Sequence, residues 1–353
     1  MTLLGGATCR SARVQALLTV SLAATLLGGC SSSVPDSLGE ALGMMPERPG
    51  GVLMQFVDVR ETAEQLDLAD DLGLEGLSGD ELAERQSRLL VEHSRLALAL
   101  DRVSQFRGER PLWSIHDVQW AAGFVRTDRT PEPEMFYAPE LGVYRLVDAD
   151  AVARLLETLG ERDYDRTESA DAVSFTPPGA DDAMTTSVLE DEQLVVVGDV
   201  DEVLDVLAGD EEAMAADEDV DRVSSGVSAP SYAVVGSGAD ACLAAPYLGA
   251  AGELGTPAAL YVAQRDVDAP TYIDVDAQTV VDARLTFVDD EAAELDAAAR
   301  DTALSGFASE YFETPEVSVN GQVVRVEATL ATDEDLSRPA VEAEAVALVG
   351  CGG

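Results

Sequence analysis

The sequence contains no lysine, one asparagine (Asn320), two isoleucines (Ile115 and Ile273) and two histidines (His93 and His116) among 353 residues. The missing lysine excludes Schiff-base chemistry, Ser-x-x-Lys nucleophiles and the phosphate-binding lysine of a P-loop. Basic residues are scarce: 22 arginines stand against 67 acidic residues, for a net charge of −45. A surface of that sign repels phosphate backbones and anionic headgroups, so nucleic acid is excluded as a partner. There is no Gly-x-Ser-x-Gly elbow and no His-Glu-x-x-His pair, and neither histidine has a ligating residue three or four positions away. No catalytic residue, metal site or cofactor is assigned, and both histidines are read as structural.

Long hydrophobic runs are also short in supply. The only notable one, Val14 to Leu27, follows Arg10 and Arg13, is too short to cross a bilayer, and ends in Leu27-Gly28-Gly29-Cys30. This combination resembles the lipobox signal of bacterial lipoproteins. The resemblance implies that residues 1–29 are removed and that Cys30 carries a diacylglyceryl thioether. Two or more acyl chains make such an anchor permanent, at about 0.8 kcal/mol per buried methylene. It places the chain on the extracytoplasmic face of the cell membrane with a net charge of −47, the two leader arginines being lost. Scarce lysine, asparagine and isoleucine point to a GC-rich genome, and the whole arrangement is similar to cell-envelope lipoproteins of actinobacteria, a likeness that implies no activity.

Four cysteines are present. With Cys9 lost and Cys30 acylated, Cys242 and Cys351 remain, and in an exported chain the simplest expectation is a disulfide. Closing a loop of about 110 residues stabilises a fold by roughly 4 to 5 kcal/mol on the chain-entropy model.

Periodicity predicts an α+β fold with antiparallel sheets. The polar, proline-broken stretch 30–50 reads as a flexible tether with a reach of roughly 25 Å. A first α+β domain over 51–209 follows, then an acidic linker over 210–230 and a second α+β domain over 231–353. Leu82, Leu89, Leu96 and Val103 recur every seven residues, predicting a long amphipathic helix over 80–106. Within each domain the order strand, helix, strand, strand recurs: 144–147, 151–159, 172–176 and 193–197 in the first; 280–288, 290–304, 316–319 and 322–330 in the second. Asn320-Gly321 marks a hairpin. Val143-Tyr144-Arg145-Leu146 matches Ala283-Arg284-Leu285-Thr286, and 193–197 matches 322–326, as two diverged copies would; chance similarity between common βαββ units is the alternative.

Three features are candidates for binding. Arg88, Arg95 and Arg102 fall seven apart on the long helix and form a candidate anion-binding stripe, whose alternative is ion pairing with the protein's own carboxylates. Trp113, Trp120, Phe124 and Tyr144 cluster in an aromatic-poor chain, as pocket lining or as core. Close acidic pairs such as Asp148/Asp150 and Asp266/Asp268 match no calcium loop and read as caps and turns. The function expected is a non-catalytic binding role toward an envelope protein, polymer or lipid. A carrier of a lipid or small apolar ligand between the halves is the alternative, and a hydrolase comes third.

Overall fold

Among the described residues, twelve strands form a single antiparallel sheet in the spatial order β11-β12-β10-β9-β8-β1-β2-β3-β7-β6-β5-β4. The computed structural model describes residues 36–48, 50–65, 94–99, 109–124, 140–179, 185–227, 230–241, 254–267, 278–305, 312–330 and 351, which fall in one compact unit, Val34–Gly353. Cys30, Cys242, Arg88, Arg102, His93 and most of the predicted long helix lie outside the described residues. Within that helix, Ser94–Ala99 is a 3-10 helix, with Leu96, Leu98 and Ala99 buried.

The strands are β1 (Gly51–Asp58), β2 (Val118–Phe124), β3 (Gly142–Leu146), β4 (Asp165–Glu168), β5 (Val173–Thr176), β6 (Thr186–Leu189), β7 (Leu194–Val197), β8 (Tyr232–Gly238), β9 (Ala259–Val267), β10 (Gln278–Thr286), β11 (Phe312–Asn320) and β12 (Val323–Leu330). The described helices are α1 (Asp36–Leu42), α2 (Val59–Gln65), α3 (Ala149–Gly160), α4 (Val200–Ala208), α5 (Glu218–Ser224) and α6 (Asp290–Ser305). The α+β class is therefore as the periodicity predicts.

The first strands of the two sequence regions pair at the middle of the sheet, β1 against β8, from Gly51↔Gly238 to Val57↔Tyr232. Gly238 sits at φ +58°, and a Cβ there would lie 2.9 Å from the Gly51 Cα, so the two backbones close only with glycine. Outward from this pair, one flank runs β2, β3, β7, β6 and the other β9, β10, β12, β11. On each flank a helix leaves the second strand outward from this pair, α3 after β3 and α6 after β10, and a hairpin returns its last strand beside that same strand. Strands β5 and β4 extend the first flank.

Alternation along the strands feeds a core layer on each face. One face buries Val57, Ala121, Tyr144, Val195 and Val234 with α3 residues Val152, Leu155 and Leu159; farther along the same face, Leu260, Leu285, Val324 and Val326 pack against Ala293, Ala297 and Leu304 of α6. The opposite face buries Phe56, Trp120, Val143, Val196 and Tyr261 beneath Leu38 and Leu42 of α1, Val203 of α4 and Val220 and Val223 of α5. Asp148 caps α3 by accepting from Ala151 N at 2.8 Å. The β11–β12 hairpin forms at the expected place, but its two-residue loop is Gly321-Gln322, with Gly321 at φ +60° in the first central position.

Two boundaries need correction. The expected tether ends early, because Asp36–Leu42 is helical and Leu38, Ala41, Leu42 and Met45 are fully buried; the i, i+3, i+4, i+7 spacing gives this segment an apolar stripe that docks. The expected acidic linker is part of the fold. Met214, Val220 and Val223 insert into the core between its carboxylates, and Asp217 caps α5 by accepting from Asp219 N and Val220 N.

Candidate functional site

The second flank carries a charged sheet face that sequence reading passed over. In β10, Val281, Ala283 and Leu285 point into the core, so by strand alternation Asp282, Arg284 and Thr286 share the other face. In β12, Val324, Val326 and Ala328 point inward and Arg325 and Glu327 outward. The register sets Arg284 opposite Arg325, Asp282 opposite Glu327, and Ser318 of β11 opposite Arg325.

Like charges directly across a ladder repel. Here one carboxylate separates them: Asp282 accepts from Arg325 Nε and Nη2 at 3.0 and 3.1 Å, and from Arg284 Nη2 at 3.0 Å. Asp282 raises the Arg325 pKa above its ordinary value, chiefly by this hydrogen bonding. Glu327 takes a further bond from Arg325 Nη2 at 2.5 Å. Arg284 Nη1 donates to the Ser225 carbonyl at 2.5 Å, tying the end of α5 to the sheet. A third guanidinium comes from α5, where Arg222 bonds Asp219 at 2.6 Å and the Thr286 hydroxyl at 3.3 Å. The result is an open groove of about 710 Å³ lined by all three arginines with Ser225, Ser318, Asn320 and Gln322. A smaller hollow beside it shares Arg284 and Arg325 and reaches Tyr261.

This arrangement holds planar donors and carboxylate acceptors in fixed alternation. It supplies hydrogen bonds in both directions and no activated nucleophile. Among the described residues, no three histidine, cysteine, aspartate or glutamate side chains converge in a metal-binding group.

The residues expected from sequence lie elsewhere. Trp113 and Tyr144 form a tilted aromatic pair, 5.1 Å between centroids, in one core layer, and Trp120 and Phe124 fill the other. The sheet separates the two pairs, so they line no common pocket; all four are core. Trp120 Nε1 donates to Glu40 of α1 at 3.0 Å, and the same carboxylate pairs with Arg145 at 2.6 Å. Arg95 lies in the 3-10 helix, its side chain outside the described residues along with Arg88 and Arg102. His116 is in the turn before β2; burial lowers its pKa against an opposing effect of Asp117, and its Nε2 is buried without a hydrogen-bond partner among the described residues. Cys351 is buried and disulfide-bonded, and its partner lies outside the described residues. Compared with protein-family models, curated proteins and solved structures, the chain matches none.

Proposed function

We propose that this chain is a non-catalytic binding protein of the cell envelope, anchored through an acylated Cys30, in which two related halves share one sheet and the charged face of the second is the ligand surface. The observation that carries this reading is a contrast between corresponding positions. Core-facing Tyr144 and Val195 on β3 and β7 occupy the places of Leu285 and Val324 on β10 and β12. On that match, the cross-strand pair Val143–Val196 corresponds to the cross-strand pair Arg284–Arg325. Both valines are 0% exposed, in the layer that includes Val203 of α4, whereas the arginines line an open groove. One copy uses this sheet face for packing and the other for polar recognition. Matching by residue type alone, 143–146 with 283–286, is one residue out, which reverses the faces of a strand.

On this reading residues 31–35 alone join an acylated Cys30 to α1, so the tether is five residues long. The Cys242–Cys351 disulfide belongs to the same proposal. The carrier alternative loses the aromatic-lined pocket that would have favoured it, since Trp113 and Tyr144 fill one core layer and Trp120 and Phe124 the other.

The test is sedimentation of the soluble form, residues 31–353, with isolated cell envelopes. The unmodified protein is expected to co-sediment and the Arg222→Gln/Arg325→Gln double variant to remain in solution. Equal sedimentation of both removes the groove from the binding account.

A further inference from the structure

We infer that the groove between α5 and the β10–β12–β11 face binds a hydroxyl-rich ligand, a neutral saccharide chain, rather than a free anion. This rests on the preceding assignment of the groove as the ligand surface and adds the chemistry of the ligand. Three arginines alone would suggest an anion site, but Asp219, Asp282 and Glu327 pair with them, and Asp290 also lines the groove. Three guanidiniums facing four carboxylates leave no local excess of positive charge. The chain's −45 adds a field that repels anions.

What the groove does offer is unused hydrogen-bonding capacity of both kinds. Arg325 Nη1 and Arg222 Nε and Nη2 donate to no protein group among the described residues. Carboxylate oxygens accept, and Ser318, Asn320 and Gln322 line the same groove. Each sugar hydroxyl both donates and accepts, so vicinal hydroxyls match neighbouring guanidinium and carboxylate groups without needing net charge. The paired side chains are also held in place before binding, which reduces the ordering cost of recognition.

The experiment is binding of residues 31–353 to an array of immobilised neutral and uronic-acid oligosaccharides, with inorganic phosphate as competitor. Binding to neutral spots that resists phosphate, and that falls at least about tenfold in Arg325→Gln, is expected; tenfold is about 1.4 kcal/mol. Arg222→Gln, a change at a partly exposed ion pair, gives the same direction of effect without endangering the fold, and thermal melting confirms that both variants are folded. Binding confined to acidic spots and displaced by phosphate overturns the inference. So does the absence of binding to any spot while envelope sedimentation still depends on the arginines, an outcome that leaves the binding function standing with a protein ligand.

Discussion

Arg284 and Arg325 stand directly opposite one another on β10 and β12, and the carboxylate of Asp282 holds both. Their separation in sequence is 41 residues, yet they behave as one unit. Replacing the carboxylate leaves two guanidiniums facing each other, with Arg284 only 13% exposed at its side chain. Asp282→Asn is therefore expected to cost about 1 to 3 kcal/mol. Urea denaturation checks this, and adding Arg325→Gln should recover part of the loss, because residues in one ion-pair network are not additive.

A buried pair on the other face gives a larger prediction. Asp296 and Arg300 of α6 are bonded at 2.5 Å with both side chains fully buried, and Asp296 also accepts from Gly255 N at 2.9 Å. Arg300→Met strands a buried carboxylate, and an unfolding penalty of about 3 to 5 kcal/mol is expected. Burial lowers the Arg300 pKa, so the pair marks a place where removal of one partner is far worse than removal of both. The Asp296→Asn/Arg300→Met double variant should be the more stable of the two in thermal melting.

His116 sets a pH dependence. Its folded pKa lies below the ordinary 6.5, chiefly through burial, so the unfolded chain binds a proton more readily than the folded one. The stability that neutral His116 supports is present above about pH 6.5, declines as pH falls through that value, and stops declining below the folded pKa. Melting temperatures of His116→Gln should accordingly fall less between pH 7 and 5 than those of the unmodified protein.

The α1 segment is predicted to be part of the folding unit. A form beginning at residue 44 exposes the sheet face that Leu38 and Leu42 cover. At about 1.5 to 3 kcal/mol per fully buried leucine, it should unfold at markedly lower urea concentration than the form beginning at residue 31. Equal midpoints would make α1 a passive tether.

Much of the fold was legible. Alternation and caps located β3, β5, β7, β10, α3, α6 and the β11–β12 hairpin, because each is decided by neighbours in sequence. What was hidden depends on partners far away. Proline and glycine around 35–50 suggested a tether and masked the helical spacing of Leu38, Ala41, Leu42 and Met45. Carboxylates over 209–230 masked Met214, Val220 and Val223. Trp113, Trp120, Phe124 and Tyr144 read as one cluster because sequence shows proximity and not facing, and a bulge between Val118 and Trp120 complicates the alternation further. For the site, Val281-Asp282-Ala283-Arg284-Leu285 and Val324-Arg325-Val326-Glu327 alternate openly. The pairing of one charged row with the other is a matter of register, which the two strands do not show separately.

Hydrogen–deuterium exchange of residues 31–353, with and without solubilised envelope material, bears on the arginine groove without any substitution. Slower exchange is expected only in β10, β11, β12 and the end of α5 at Ser225, with the β3–β7 region unchanged. Protection appearing instead around α4 and β5–β6, or nowhere in the sheet, contradicts the assignment of the arginine groove as the ligand surface.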